Sequence, residues 1–171
     1  SLQNGIDNEE KLEAILGKGR MLGGAAYIWS TITEPGVITQ TGGACKIAFG
    51  ELDGSSTERA RRILEACQRA GFPCEMTTNI WKVLWEKFLF ICALGGMTAL
   101  TRAPIGEIRS CPESWAMLQA VMEEVAAVAR AKGIALPADA VEQAMRFTAD
   151  MPPGGRASLY HDLAAGKRLE L

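Results

Sequence analysis

From Trp81 the chain runs Trp81-Lys82-Val83-Leu84-Trp85-Glu86-Lys87-Phe88-Leu89-Phe90-Ile91, and Phe88 to Leu100 is an uncharged apolar run of thirteen residues. A run of that length suits a buried core helix and falls short of a bilayer span. It predicts one long helix, capped by Asn79 and continuing to about Leu100, with a bend expected at Gly95-Gly96. At helical spacing Lys87 shares a face with Val83, Leu84, Ile91 and Leu94, so its ammonium leaves the helix on a largely apolar side. Two readings follow. The lysine can lay its stem along apolar surface and keep its head in water. Alternatively, desolvation disfavours its charged form, lowers its pKa and equips it for general acid–base work.

The rest of the composition excludes more than it selects. At 171 residues the chain is long enough for one large domain or two small ones. Its 18 basic and 20 acidic residues leave a net charge of −2 without a basic stripe or acidic tail, which favours neither nucleic acid nor a membrane surface as partner. Five cysteines (Cys45, Cys67, Cys74, Cys92, Cys111) include no C-x-x-C pair, and His161 is the only histidine. That usage points to a reducing, cytoplasmic compartment with no disulfide framework and no metal site. No secretory signal opens the chain.

Two textures divide it. Residues 1–78 read as mixed strand and helix, and residues 79–171 as all helix, so the fold class is α+β. In the first part a helix is expected over Glu9–Leu16, and strands over Ala25–Ile32, Val37–Gln40, Cys45–Phe49 and Pro73–Thr77. Ser55 or Ser56 should cap a helix from Thr57 to Ala70 with Ala60, Ile63, Leu64 and Cys67 inward. In the second part Ile105–Arg109 is a single turn. Pro112 opens a helix through Ala131 with Trp115, Leu118, Val121, Met122, Val125 and Val128 inward. Asp139 caps a helix to about Ala149, and a last helix covers Ser158–Ala165. The first residues enter as though mid-strand and Leu171 stops as the pattern resumes, so the chain is expected to be a piece of a longer protein.

Neither G-x-G-x-x-G after a strand nor G-x-x-x-x-G-K-[ST] occurs, and the paired glycines at 23–24, 42–43, 95–96 and 154–155 read as turns, bends or packing points. Three side chains could form a small-molecule site. Lys87 could protonate a carbonyl oxygen, and Glu170 could hold the lysine or accept a substrate hydroxyl. Ser158, at a helix start, could bind a carboxylate or simply cap the helix. Asp162 reads as a surface residue.

Trp85-Glu86-Lys87, then Met97-Thr98-Ala99-Leu100 and Pro104-Ile105-Gly106-Glu107-Ile108-Arg109, resemble the ketopantoate reductase family. So do Glu123-Glu124-Val125 to Lys132-Gly133-Ile134, Ser158-Leu159-Tyr160-His161-Asp162 and Gly166-Lys167-Arg168-Leu169-Glu170. Gln3-Asn4-Gly5 is similar to the family's turn beside the nicotinamide. The resemblance implies the later part of a Rossmann-type domain over 1–78, followed by a helical substrate and dimerisation domain over 79–171 like the C-terminal domain of 6-phosphogluconate dehydrogenase. It implies NADPH as cofactor and a small 2-keto acid as substrate, with 2-dehydropantoate first. A homodimer is compatible with it. Matched position by position, Lys87 is the general acid, Glu170 the substrate-binding carboxylate, Ser158 a substrate contact, and Asn4 the asparagine near nicotinamide. The chain departs from the family pattern at Ile91, Gly95 and Ile105, where asparagines are usual. Those departures keep two alternatives in view: a reductase of a less polar 2-keto acid, and a non-catalytic helical interaction module.

Overall fold

The computed structural model describes residues 1–170; Leu171 lies outside the described residues. The chain forms two compact units, Ser1–Leu84 and the remainder from Trp85, with the division falling inside one helix.

The first unit is built on a hairpin. After α1 (Asn8–Leu16), β1 (Leu22–Glu34) turns back at Pro35-Gly36 into β2 (Val37–Glu51), and β3 (Cys74–Met76) adds to β2 in parallel. The sheet order is β1-β2-β3. The separate short strands expected over Val37–Gln40 and Cys45–Phe49 are thus one strand of 15 residues. Gly42-Gly43 does not end it. The ladder absorbs register shifts between Tyr27 and Ser30, and Gly43 takes φ +87°, which a residue without Cβ adopts freely. Only the base of the hairpin is buried. Ala25 packs with Ile80 and Leu84, with Tyr27, Leu52, Trp81 and Val83 against them.

α2 (Glu58–Arg69) starts one residue later than expected. Ser55 N–H donates to Asp53 Oδ1 in a tight turn, which leaves Thr57 as the cap, its Oγ1 accepting from Ala60 N–H at 3.3 Å. Ala60 is buried as expected; Ile63 is 39% exposed, so the inner face is narrower than the periodicity implied.

The remainder is helical. α3 (Ile80–Thr101) is capped by Asn79, whose Oδ1 accepts from Lys82 N–H, and it continues as helix through Gly95-Gly96. By length and composition α3 could cross a membrane, but Leu89, Ala93, Leu94 and Met97 are 0–3% exposed, as in a core helix. α4 (Ile105–Ser110), α5 (Pro112–Ala131), α6 (Ala140–Ala149) and α7 (Ser158–Ala164) follow. On α5 the buried stripe is Leu118, Met122, Val125, Ala126 and Ala129. Val128, expected inward, is half exposed because small alanines take the inner positions there. At α6, Asp139 holds the cap position, but its carboxylate accepts from Gln143 Nε2 rather than from the backbone.

Candidate active site on the lysine helix

Lys87 lies between core residues of its own helix. Leu84, Trp85 and Leu89 are 1–3% exposed, Trp85 and Phe88 meet edge to face at 5.7 Å, and Lys87 itself is half-buried. Burial pushes the Lys87 ammonium below the usual lysine pKa. The group can therefore give up a proton more readily than a surface lysine.

The start of α7 is brought to the same helix by a clamp that the segment 104–109 provides. Ile105 N–H donates to Gly155 O and Gly106 N–H to Pro153 O, both at 2.9 Å. A Cβ on Gly106 would stand 2.7 Å from Pro153 Cβ, so only glycine admits this approach. Arg109 donates to the carbonyls of Ala149 and Met151, satisfying the open end of α6. The loop so held delivers Ala157 to Thr98. Thr98 is fully buried; its Oγ1 donates to Leu94 O at 2.7 Å and accepts from Ala157 N–H at 3.4 Å. Leu159 lies over Gly95, its Cδ2 3.6 Å from where a Cβ would be.

Ser158 sits between these two anchors and is exposed. It is not the cap of α7: Ala157 occupies that position and no side chain caps the helix. Its hydroxyl is left at the surface. Gly95 and Thr98 lie eight and eleven residues beyond Lys87, which is about 12 and 16 Å along the helix axis. The neighbours of Ser158, Ala157 and Leu159, thus meet the lysine helix two to three turns past the amine. Glu170 is exposed in the irregular segment after α7. Asp162 is partly buried and pairs with Lys167 at 3.8 Å.

Two residues of this neighbourhood escaped the sequence reading. Arg156 stacks its guanidinium 4.9 Å from the Tyr160 ring centroid, and its buried Nε has no hydrogen-bond partner among the described residues. A guanidinium two residues before Ser158 is suited to a carboxylate, but an arginine after a Pro-Pro-Gly-Gly loop carries no spacing signal. Thr98 did carry one, since a hydroxyl in so apolar a helix must find partners.

In the first unit, Asn4 is exposed, and its carbonyl accepts from Asn8 Nδ2 at 2.8 Å beside Gly5 at φ +110°. No group of three or more metal-ligating side chains occurs among the described residues. A cavity of about 650 Å³ in the same unit is lined by Glu10, Glu13, Glu51 and Asp53 beside Arg59 and Trp81. Its acidic wall disfavours an anionic substrate. The one buried carboxylate there, Glu51, is already held by Arg59 and Thr57.

Comparison with known proteins identifies the family. Residues 79–171 match the family described as ketopantoate reductase PanE/ApbA C terminal, and residues 1–54 match ketopantoate reductase PanE/ApbA. An uncharacterized oxidoreductase of Bacillus subtilis (strain 168) is 31% identical over 98% of this chain and 55% of its own. The 2-dehydropantoate 2-reductase of Archaeoglobus fulgidus is 31% identical over 100% of this chain and 56% of its own. The crystal structure of 2-dehydropantoate 2-reductase from Geobacter metallireducens superposes with a TM-score of 0.89 at 30% identity, covering 98% of this chain and 56% of that one. The chain spans about half the length of the relatives it matches. With both family regions in order along it, and a Rossmann-type part followed by a helical part, the chain belongs to the ketopantoate reductase family.

Proposed function

We propose that the protein carrying this chain is an NADPH-dependent oxidoreductase that reduces a 2-keto acid to the 2-hydroxy acid. The observation that carries this reading is Lys87: an amine on an apolar helix, with its proton affinity lowered by burial. Bound NADPH supplies the hydride that adds to the keto carbon. Lys87 donates its proton to the keto oxygen as negative charge builds there, and leaves as the neutral amine. Ser158, set beside Gly95 and Thr98, contacts the substrate through its exposed hydroxyl. Arg156 is placed to pair with the substrate carboxylate. Glu170 accepts a hydrogen bond from the substrate or from the lysine, and Asn4 binds the nicotinamide amide.

The names of the Archaeoglobus and Geobacter relatives support 2-dehydropantoate as the reference substrate, reduced to pantoate in pantothenate biosynthesis. A cytoplasmic homodimer is the form proposed for it. A second reading, a less polar 2-keto acid, is favoured by the apolar side chains next to Lys87. The test is NADPH oxidation by the full-length protein over a panel of 2-keto acids, with thermal denaturation in saturating NADPH alongside. The expected results are keto acid-dependent oxidation and a raised Tm, because a ligand bound only by the folded state stabilises it. No shift with cofactor and no turnover would leave an interaction module instead.

A further inference from the structure

The wall that runs along α3 from Lys87 to the start of α7 can be followed residue by residue. One turn past the amine stands Ile91, half-buried on the same helical stripe. Two turns past it stands Gly95, which is buried and covered by Leu159 at van der Waals distance. A side chain longer than a methyl group at position 95 would have to displace Leu159. Three turns past the amine stands Thr98, and its hydroxyl is occupied on both sides: it donates to Leu94 O and accepts from Ala157 N–H. Between the amine and Ser158, Ile91 and Gly95 carry no polar side-chain atom and the Thr98 hydroxyl is fully buried, so this stripe offers a substrate no accessible hydrogen-bonding side chain. A substrate hydroxyl laid against it would give up water and gain nothing, and an unpaired polar group in such a place is costly.

We propose that the 2-keto acid taken by this protein carries an apolar side chain without a hydroxyl, selected by Ile91 and by the Gly95–Leu159 contact. This rests on the reductase reading above and narrows its substrate class. The specificity is one of exclusion as much as attraction. An apolar wall discriminates against an added hydroxyl by about 10²-fold at most. A site built to bond that hydroxyl rejects the analogue lacking it by about 10⁴-fold or more.

A matched pair of substrates tests this on the unaltered full-length protein with NADPH. Trimethylpyruvate and 2-dehydropantoate differ by one terminal hydroxyl. The expected result is a kcat/KM for trimethylpyruvate that exceeds that for 2-dehydropantoate by between about 10- and 100-fold. A smaller ratio, or a reversed one, overturns the proposal and leaves the reductase reading standing. Turnover of neither compound, nor of any other 2-keto acid in the panel, overturns both. The variant Ile91→Asn adds an amide beside the amine without touching Leu159. It should move the ratio about tenfold toward the hydroxylated substrate, and an unmoved ratio would remove Ile91 from the selection. Gly95→Asn alone should slow both substrates, and Gly95→Asn with Leu159→Ala should recover turnover with the ratio shifted the same way. Failure of the second change to rescue the first would show that the contact with Leu159 is not what position 95 contributes.

Discussion

Glu51 and Lys87 both lose contact with water, and the molecule treats the two charges in opposite ways. At the base of the hairpin Glu51 is 5% exposed, yet Arg59 donates to both of its oxygens and Thr57 to one. Hydrogen bonds from the Arg59 guanidinium hold the Glu51 carboxyl below the usual carboxylate range. On α3, burial acts on Lys87 in the other sense and makes its charged form easier to abandon. The first charge is made permanent and stabilises a fold; the second is made negotiable, which suits a proton donor. Glu9 is an intermediate case. It is 1% exposed, its carboxylate oxygens have no hydrogen-bond partner among the described residues, and burial raises its pKa.

The contrast is open to direct attack. Its largest expected consequence is catalytic: Lys87→Ala should lower kcat by about 10²-fold or more in steady-state turnover, and an unchanged kcat would end the distinction. Next in size, Glu51→Gln should destabilise by about 1.5–3 kcal/mol in chemical denaturation, since a charged acceptor for Arg59 is replaced by a neutral one. The pH dependence should separate the two sites by range, since stability rises with pH at both, in the acid range for Glu51 and in the alkaline range for Lys87. Glu51 has a lowered folded-state pKa, so its contribution is present above the usual carboxylate range and is lost as pH falls through the lowered value. Lys87 also has a lowered folded-state pKa, but as a base. Between that value and the ordinary lysine range the unfolded chain binds more protons, so stability rises with pH there.

A smaller effect is expected of Lys87→Met. It should add up to about 1 kcal/mol of stability and remove the alkaline rise, while abolishing turnover, because a desolvated cation gives way to an apolar chain of similar length. Smallest in stability is Ser158→Ala, expected within about 0.5 kcal/mol because the hydroxyl caps nothing. It should still raise KM for the keto acid about tenfold, the cost of roughly one hydrogen bond. A stability loss above 1 kcal/mol would instead mark Ser158 as structural.

What was legible beforehand follows from how local each cause is. The extents of α3 and α5 rest on apolar periodicity and on caps within the same segment, and both could be read off. The cap at Asn79 and the proline opening α5 are where the sequence placed them. The two strands flanking Pro35-Gly36 were legible as well, but the joining of Val37–Gln40 to Cys45–Phe49 in one strand was not. Gly42 continues a strand because the Trp29 ring lies where its Cβ would be, 2.8 Å away, a contact made across the ladder. Ser158 lost the cap to Ala157 for a similar reason, since the Ala157 N–H is held by Thr98, 59 residues away. Thr57 displaced Ser55 because Ser55 was already committed to Asp53. In the candidate site, the charge and spacing of Lys87 could be seen in one dimension. The Gly95–Leu159 contact that shapes its surroundings could not.

The clamp at 104–109 has a practical corollary. A helix of seven residues such as α7 is too short to persist unaided in water, so its amides are protected only while Arg109, Gly106 and Thr98 keep it docked. Hydrogen–deuterium exchange over 158–164 is therefore a built-in gauge, read some fifty residues downstream, of whether the α4 segment is in place.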